Sequence, residues 1–313
     1  MKRFLIKLGI TVLALFAAAC GLDFIITYNL RHSDARMFDT YNAITDGRMQ
    51  DVNVLIMGSS RGQVQYSPRV IDSITGLNSY NISVDGRCID AEVTMYHCYR
   101  MHHPAPKVII QNIDWGTLLM SNGYEREQYL PYLRNKSLYS EIGGREGFSW
   151  ADRLLPLWRY AGYHEVMKEG LGLSAKMARP AMDKGYVARE ESWDGTAFRQ
   201  IDTLGFSVNC DAVDIFDNYL AWCKKEGVLV VMVYAPFYIG ATRKMGPGVE
   251  AMFACYRSFA DKYGYPILNY TYDKLSYDTL NFYNASHMNR RGAERFSVKL
   301  AHDLDSLLSL ADY

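Results

Sequence analysis

Two short motifs, far apart in the chain, contain the residue types that acyl transfer needs. Gly58-Ser59-Ser60-Arg61 follows an apolar run that ends at Met57, and Asn284-Ala285-Ser286-His287 comes just before the last predicted helix. A serine at a tight turn between a strand and a helix can attack an acyl carbon once a distant histidine accepts its proton. The two motifs together predict a serine hydrolase or acyltransferase.

These motifs need a scaffold, and the hydrophobic pattern predicts one made of alternating strands and helices. Strands are predicted at residues 53–57, 79–84, 108–113, 228–234 and 265–270. Helices are predicted between and after them, at residues 67–74, 89–101, 212–225, 249–263 and 289–308. Strands that are nearly continuous in apolar residues are typical of parallel sheets buried on both faces. We therefore predict an α/β fold with a mainly parallel five-stranded sheet flanked by helices.

The alternation is interrupted between about residues 116 and 209, a stretch rich in tyrosine, tryptophan and phenylalanine. We interpret it as a largely helical insertion over the carboxyl ends of the strands, where open α/β sheets bind their ligands. Its aromatic residues, Trp150, Trp158 and Trp193 among them, could stack on sugar rings or pack in a core, and packing is the more frequent role.

The first 32 residues have the features of an export signal. Lys2, Arg3 and Lys7 precede an apolar stretch, and residues 8–27 have the roughly 20-residue length that a helix needs to cross a bilayer. Asp23 lies near the far end of this stretch, where a charge costs less than at mid-membrane. Because basic residues keep the N-terminal end in the cytoplasm, we predict a signal anchor with residues 33–313 outside the cytoplasm.

Two other interpretations of this segment stay open. Ala17-Ala18-Ala19 resembles a signal-peptidase site. Cys20, which follows it, is a candidate for lipidation, although Ala17 occupies the position three residues earlier where a leucine is usual. In each case the rest of the chain is exported, so we expect it in the periplasm or otherwise outside the cytoplasm of a bacterial envelope.

Charge and cysteine spacing argue against other classes of function. The 34 basic and 34 acidic residues give a net charge of zero without a basic stripe, which disfavours nucleic acid as a partner. None of the six cysteines are spaced as C-x-x-C, so neither a zinc cage nor a thioredoxin-type site is predicted. We expect no metal and no cofactor, and we expect single buried thiols rather than a disulfide framework.

The order of the motifs resembles that of the SGNH (GDSL-type) hydrolase superfamily. Members have Gly-x-Ser after the first strand, a glycine after the second, and an x-x-His motif before the final helix. The chain is most similar to membrane-anchored, exported bacterial members from envelope and exopolysaccharide modification, including the D-alanyl-transfer proteins, whose nucleophile motif is Gly-Ser-Ser. The resemblance covers residues 52–86, 108–114 and 228–296 and implies a flavodoxin-like domain with a Ser–His site.

The resemblance implies roles for three residues. Ser60 matches the nucleophile, and His287 matches the general base that accepts the Ser60 proton and returns it to the leaving group. Gly86 matches the glycine of the second block, whose backbone N–H would stabilise an oxyanion together with the N–H of Ser60.

Two positions depart from the family pattern. Asn284 stands where the family has an aspartate three residues before the histidine; an asparagine can orient an imidazole, but it cannot compensate an imidazolium by charge. The third block, Gly-x-Asn-Asp in the family, is Gln111-Asn112-Ile113-Asp114 here. Asn112 is therefore a candidate oxyanion donor only with a local shift of the chain.

Three charged residues are candidates for supporting roles. Asp273 and Asp278 lie shortly before His287 and could supply the missing carboxylate, although solvation is the usual role of acidic loop residues. Arg61, directly after Ser60, could contact an anionic group of the substrate or form a structural salt bridge.

The sequence therefore predicts an exported, membrane-anchored serine esterase or O-acyltransferase that acts on an envelope or secreted glycan. Hydrolysis and acyl transfer share the acyl-enzyme step, so the residues do not separate them. The competing hypothesis is a non-catalytic glycan-binding or assembly protein with a degenerate site, which Asn284 and Ile113 favour.

Overall fold

A computed structural model describes residues 1–120, 126–144, 146–173, 182–195, 198 and 206–310. Contacts between residues divide the chain into two compact units. We call them the N-terminal unit, which is Met1–Asp46 with Gly123–Arg179, and the sheet unit, which is Gly47–Asn122 with Pro180–Tyr313. The predicted anchor, residues 1–32, thus shares a unit with part of the predicted insertion, and the rest of that insertion belongs to the sheet unit.

A parallel sheet forms the centre of the sheet unit. The strands of this unit are β1 (Val54–Met57), β2 (Ser79–Asn81), β3 (Val108–Asn112), β4 (Met182–Asp183), β5 (Tyr186–Val187), β6 (Leu229–Tyr234) and β7 (Ile267–Asn269). Five of them form one parallel sheet in the order β2-β1-β3-β6-β7, and β4 pairs with β5 in an antiparallel hairpin. The predicted α/β fold is confirmed.

The strand order determines which loops meet at one edge. β1 lies between β2 and β3, with Val54 opposite Ser79 on one side and Val108 on the other. Because parallel strands all end at the same edge of a sheet, the residues that follow β1, β2 and β3 are neighbours in space. These are the segments that contain Ser60, Gly86 and Asp114.

Helices flank this sheet, as the alternating pattern predicts. They are Ser60–Gln65, Pro68–Thr75, Ile89–His102, Cys210–Lys225, Ile239–Met245, Gly248–Tyr263 and Arg290–Leu310. Short 3-10 helices lie at Lys274–Tyr277 and Thr279–Asn281. The predicted helix at 289–308 is thus observed as Arg290–Leu310, and the predicted helix at 67–74 as Pro68–Thr75, with proline tolerated at its first turn.

One face of the sheet packs on the closing helix. The buried core there includes Ile56, Ile110 and Val233 from the strands together with Phe296 and Leu300 from Arg290–Leu310. Side chains alternate between the two faces along a strand, and the residues next to these, such as Leu55 and Ile109, are also fully buried. The sheet is therefore covered on both faces, as nearly continuous apolar strands require.

The N-terminal unit is helical. Its described elements are α-helices at Lys2–Leu30, Arg36–Thr45, Lys136–Ile142, Trp150–Leu154 and His164–Gly170, and 3-10 helices at Arg126–Tyr132 and Trp158–Tyr160. Asn135 caps one of the helices by accepting from the backbone N–H groups of Ser137 and Leu138. The helical character predicted for this part of the insertion is therefore observed, but these residues group with the N-terminal segment rather than with the sheet.

The first helix is long and apolar. Among the residues that the structure describes, Lys2–Leu30 is the one helix that could cross a membrane by length and composition, with a mean hydropathy of 2.2 over its most apolar window. Its large apolar side chains between Phe4 and Leu22 are exposed, unlike those of a core helix in a soluble protein. By these criteria the helix is a candidate membrane anchor or signal sequence.

Candidate active site

Ser60 occupies the first position of the helix Ser60–Gln65, after a turn that leaves β1. Within that turn Gly58 has a φ of +155°, and a Cβ atom there would lie 2.8 Å from Asn112 Cβ. Only glycine fits between β1 and β3 at this point, because any side chain would push the strands apart. The turn therefore places Ser60 at the carboxyl edge of the sheet.

The helix that begins with Ser60 is held close to β2. A Cβ atom on Gly62 would come within 2.4 Å of Ser83 Oγ, so a larger residue would displace the helix. Asn81, at the end of β2, donates from Nδ2 to the carbonyl oxygens of Gly62 at 2.8 Å and Tyr66 at 3.2 Å. These bonds satisfy acceptors that the short helix leaves unpaired and fix Ser60 relative to the strand ends.

His287 reaches Ser60 from a tight loop that precedes the closing helix. Phe282 pairs with Met288 across this loop, and the Tyr283 N–H donates to the His287 carbonyl oxygen at 3.1 Å. His287 Nε2 lies 2.7 Å from Ser60 Oγ, which is a hydrogen-bond distance. The structure thus brings the two motifs together in the arrangement of a nucleophile and its base.

Asn284 orients the imidazole. Its Oδ1 accepts from the backbone N–H groups of Ser286 at 3.0 Å and His287 at 2.9 Å, and lies 3.0 Å from His287 Nδ1. An amide oxygen has no proton to give, so the neutral ring carries its proton on Nδ1, and Nε2 is the acceptor that faces Ser60 Oγ. The side chains form a hydrogen-bonded relay that contains no carboxylate.

The environment of His287 keeps the imidazole neutral. Burial lowers its pKa to about 4, because a half-buried ring loses the solvation that an imidazolium needs. The guanidinium groups of Arg61 and Arg189 act in the same direction. The carboxylates of Asp85 and Asp114 partly oppose them. At neutral pH the ring is therefore in the form that can accept a proton from Ser60.

Arg61 is buried, and its guanidinium bonds to protein groups. It donates to the Ala235 carbonyl oxygen at 2.6 Å and to Gln65 Oε1 at 3.2 Å. It also lies 3.9 Å from a carboxylate oxygen of Asp114. These contacts connect the helix of the nucleophile to the residue that follows β6, and whether Arg61 also contacts an anionic substrate stays a prediction.

The candidate oxyanion residues follow neighbouring strands. Asn112 ends β3 and is fully buried; its Oδ1 accepts from the Tyr66 hydroxyl at 2.8 Å, and its Nδ2 donates to Asp114 at 3.3 Å. The amide is thus engaged within the protein, against the turn at Gly58. Gly86 lies in an exposed turn after β2 with a φ of +71°, and its role as a backbone donor stays a prediction.

The two aspartates considered as substitutes for the missing carboxylate have other partners. Asp273 accepts from the Leu275 N–H at 2.9 Å and Asp278 from the Leu280 N–H at 2.9 Å, so each caps a 3-10 helix. Short polar side chains favour this position because they satisfy the free N–H groups of a helix start. The expectation that Asp273 or Asp278 orients His287 is therefore corrected in favour of Asn284.

Three residues near His287 were not predicted. Ser286 Oγ lies 2.8 Å from His287 Nδ1 and 3.2 Å from Asn284 Oδ1, so it is a second acceptor for the ring proton. The Tyr283 ring stacks on the imidazole, with 5.5 Å between ring centroids. The guanidinium carbon of Arg189 lies over the Tyr283 ring, 5.0 Å from its centroid. Their proximity to His287 in sequence could have indicated Ser286 and Tyr283, but not Arg189.

An aromatic cluster lies beside the histidine loop. The Tyr238 N–H donates to the carbonyl oxygen of Ala285 at 3.1 Å, which joins the loop after β6 to the loop of His287. The Tyr238 ring contacts Trp193 at 4.8 Å and Phe198 at 5.4 Å between ring centroids. These side chains are half-buried, and two of them come from the part of the predicted insertion that belongs to the sheet unit.

Single buried cysteines are expected, and Cys98 and Cys223 are buried, whereas Cys210 is exposed and the other three cysteines are half-buried. In the part of the chain that the structure describes, no three His, Cys, Asp or Glu side chains are grouped closely enough to hold a metal ion. No protein-family model matches this sequence, and no curated protein is significantly similar to it. The chemistry of the site therefore has to be argued from its own geometry.

Proposed function

We propose that this protein is a serine esterase or O-acyltransferase with Ser60 as the nucleophile and His287 as the general base. The observation that carries the proposal is the 2.7 Å distance between Ser60 Oγ and His287 Nε2, in a ring whose Nδ1 is held by Asn284. A histidine oriented in this way is the usual activator of a serine nucleophile. The resemblance to the SGNH superfamily supports the same assignment.

In the proposed reaction, Ser60 Oγ attacks the acyl carbon of an ester while His287 Nε2 accepts the hydroxyl proton. The developing oxyanion is stabilised by the backbone N–H of Ser60 and by that of Gly86, each worth about 3 kcal/mol if well aligned. His287 then returns its proton to the departing alcohol, which leaves an acyl-enzyme. Water or a sugar hydroxyl accepts the acyl group in the second half of the reaction, with His287 again acting as base.

The absence of a carboxylate beside Nδ1 limits this mechanism. An imidazolium forms during acylation, and Asn284 can keep its orientation but cannot balance its charge. Burial adds to this limit, because it lowers the pKa of His287 and the carboxylates of Asp85 and Asp114 offset that effect only in part. We therefore expect a slow enzyme whose acylation step is limited by the weak basicity of His287.

We further propose a glycan of the bacterial envelope, or a secreted glycan, as the substrate. The aromatic cluster beside the loop of His287 supports this, because the flat faces of Trp193 and Tyr238 suit the apolar face of a sugar ring. The apolar helix Lys2–Leu30 supports a location at the membrane. With Lys2, Arg3 and Lys7 retained in the cytoplasm, the catalytic residues would face the periplasm or the exterior.

A second candidate is a glycan-binding or assembly protein whose catalytic site has decayed. The observation in its favour is that the amide of Asn112 is engaged by Tyr66 and Asp114, so Asn112 does not offer a free side-chain donor to an oxyanion. Such a protein would keep the aromatic cluster and the fold but would not form an acyl-enzyme.

Labelling with a fluorophosphonate tests the proposal, because the probe reacts only with an activated serine. The full-length protein in detergent should be labelled at Ser60, and Ser60→Ala should remove the label. Ser59→Ala is the matched control, since Ser59 is adjacent but its side chain makes no capping hydrogen bond. A label that survives in the Ser60→Ala protein would exclude Ser60 as the nucleophile, and an unlabelled wild-type protein would favour the binding protein.

Incubation with acetylated polysaccharides then separates hydrolysis from transfer. Release of free acetate without an added acceptor indicates an esterase. Acetate that appears on an added oligosaccharide instead of in solution indicates an acyltransferase. Ser60→Ala should abolish both products.

A further inference from the structure

The N-terminal unit exposes large apolar side chains outside its first helix. Trp150 and Leu154 are 66% and 61% exposed, and lie four residues apart on one face of a short helix. Trp158 is 56% exposed and Leu173 is 70% exposed. We call these four residues the exposed apolar set. The helices Trp150–Leu154 and His164–Gly170 both contact the segment Trp158–Tyr160, so the four residues belong to neighbouring segments rather than to scattered positions.

Trp158 is fixed at the level of Asp23 in the first helix. Leu157, which precedes it, donates its N–H to Asp23 Oδ1 at 2.9 Å. Arg159, which follows it, donates to Asp23 Oδ2 at 2.7 Å and to Thr27 Oγ1 at 2.8 Å. The segment that contains Trp158 is therefore attached to the part of the helix between Asp23 and Thr27.

A second segment of the same unit, around Gly170, contacts the first helix about one turn further along. Gly170 packs so closely on Ile26 that a Cβ atom would lie 2.7 Å from Ile26 Cγ2, and its carbonyl oxygen accepts from Asn29 at 2.7 Å. Leu173 follows this contact by three residues. Members of the exposed apolar set thus lie near the first helix at the level of residues 23–30.

The first helix is exposed along its N-terminal part and contacts the rest of the unit along one face of its C-terminal part. Ala19 and Cys20 are half-buried, and Asp23, Ile26 and Leu30 are fully buried. Large side chains on the other face stay exposed, namely Phe24, Ile25 and Tyr28. The stretch from Phe4 to Leu22 is roughly 28 Å long at ~1.5 Å per residue, close to the ~30 Å of a hydrocarbon core. Residues 4–22 can therefore cover the hydrocarbon core, as can the sequence-based span of residues 8–27, and in the former Lys7 lies near one end, able to extend toward the headgroups.

With a span of residues 4–22, residues 23–30 begin in the headgroup region. These eight residues cover roughly 12 Å of helix, more than the roughly 5–8 Å of polar layer on one side of a bilayer, so Asp23 and the residues next to it lie at headgroup level. The carboxylate of Asp23 is compensated there by Arg159 and by Arg134, which lies 2.8 Å away. Tryptophan is enriched at this depth, because its ring is apolar and its N–H can bond to water or headgroups.

We propose that the exposed apolar set is a second membrane contact, through which the N-terminal unit lies on the bilayer surface from which its first helix emerges. The partner is the interfacial layer of a phospholipid bilayer. The inference rests on the proposed anchor but not on the proposed catalysis. The inference assigns to residues 150–173 contact with the bilayer surface, in place of the role in shaping the substrate site that was expected for the insertion.

Tryptophan quenching by brominated lipids tests the contact. The full-length protein is reconstituted into phosphatidylcholine nanodiscs with bromine at shallow or deep acyl positions, and its five tryptophans report together. We expect stronger quenching by the shallow bromines. Trp150→Phe/Trp158→Phe should remove most of that quenching, whereas Trp222→Phe, in the sheet unit, should leave it unchanged.

Each outcome has a separate meaning. Incorporation into nanodiscs with no shallow quenching in the wild-type protein would overturn the surface contact and leave the anchor intact. Failure to enter nanodiscs, or release from membranes by alkaline carbonate, would overturn the anchor and the contact together. Neither result bears on Ser60, whose fluorophosphonate labelling is measured in detergent.

Discussion

The two units each contain a buried polar cluster, and the clusters differ in charge. In the sheet unit, Ser60, His287 and Asn284 are joined by hydrogen bonds between neutral groups. In the N-terminal unit, the carboxylate of Asp23 is fully buried against the guanidinium of Arg159, also fully buried. One cluster consists of neutral groups, and the other is an ion pair.

The difference follows from what each cluster does. A relay that accepts a proton from Ser60 requires a neutral ring, and the low pKa of His287 keeps the ring neutral while it also makes the ring a weak base. An attachment point requires the opposite, because a buried pair is destabilised strongly when either partner is lost. The chain thus uses neutral hydrogen bonds where reaction is proposed and fixed charges where a helix must be held.

The largest expected effect is the loss of the base. His287→Ala should lower the rate of fluorophosphonate labelling and of ester cleavage by roughly 10²–10⁴-fold or more, because Ser60 then has no proton acceptor. Stopped-flow acylation by an activated ester measures this loss. His302→Ala, at an exposed position of the closing helix, is the control and should behave as wild type. An unchanged rate in His287→Ala would remove His287 from the mechanism.

Breaking the ion pair should have the next largest effect, on stability. Arg159→Met leaves the Asp23 carboxylate buried with only the half-exposed Arg134, and should destabilise the N-terminal unit by about 3–5 kcal/mol. Hydrogen exchange of the full-length protein at residues 157–160 measures this opening. Asp23→Asn/Arg159→Met should recover part of the loss, because no unpaired charge is left.

Lys168→Met is the control for that variant. Its partner Glu165 is on the surface, and such pairs contribute about 0–1 kcal/mol. Equal protection losses in Arg159→Met and Lys168→Met would show that the Asp23 pair is no stronger than a surface pair, and the contrast between the two clusters would disappear.

Introducing a charge into the neutral relay should have a moderate effect. Asn284→Asp places a carboxylate against Nδ1, stabilises the imidazolium that forms in the transition state, and should raise the acylation rate by about ten-fold. Pre-steady-state bursts with an activated ester measure it. Asp278→Asn, which removes a helix cap, should leave the rate nearly unchanged. A faster Asp278→Asn protein, or a slower Asn284→Asp protein, would contradict the orienting role of Asn284.

The pH dependence should show the smallest change. The pKa of His287 is lowered to about 4, so kcat/KM should stay level from neutral pH down to about pH 5 and fall only as the ring becomes protonated near pH 4. Asn284→Asp should raise that pKa and move the fall to higher pH. A wild-type profile that already declines between pH 7 and 6 would contradict the low pKa of His287.

The same low pKa has a consequence for stability. Because the folded state binds a proton on His287 less readily than the unfolded chain, stability that is present above the unfolded value of 6.5 is lost as the pH falls toward about 4. His287→Gln, which cannot titrate, should weaken that dependence.

Local sequence was sufficient for most elements of the sheet unit, although the β4–β5 hairpin, in a stretch interpreted as largely helical, and the helix Ile239–Met245 were not predicted. The apolar runs before Gly58 and Gln111 formed β1 and β3, because a strand buried on both faces must be apolar at nearly every position. The spacing of Ala293, Phe296, Leu300 and Leu304 predicted a helix with one buried face, and these residues are fully buried. The ends of the elements were predicted less well, since β2 ends at Asn81 rather than at residue 84.

The sequence predicted the residue types of the candidate site but not the contacts between them. Ser60 and His287 follow from motif and resemblance, yet their 2.7 Å separation depends on the strand order and on the loop between Phe282 and Met288. In the sequence, Asn284 stood at the family position beside His287, with Asp273 and Asp278 as alternatives. Only the fold shows that the aspartates cap 3-10 helices while Asn284 meets the ring.

By itself the sequence determined what each segment can bury, since periodicity and composition act between near neighbours along the chain. It therefore determined the α/β fold and the apolar first helix. The tertiary structure alone decided which distant polar groups share a site. In the sequence, Asp23 is a single tolerated charge in an apolar run. In the structure, Arg159, from a distant segment, lies 2.7 Å from its carboxylate. A buried charge or a buried donor is stable only with a partner, and that partner is defined by position in space rather than by position in sequence.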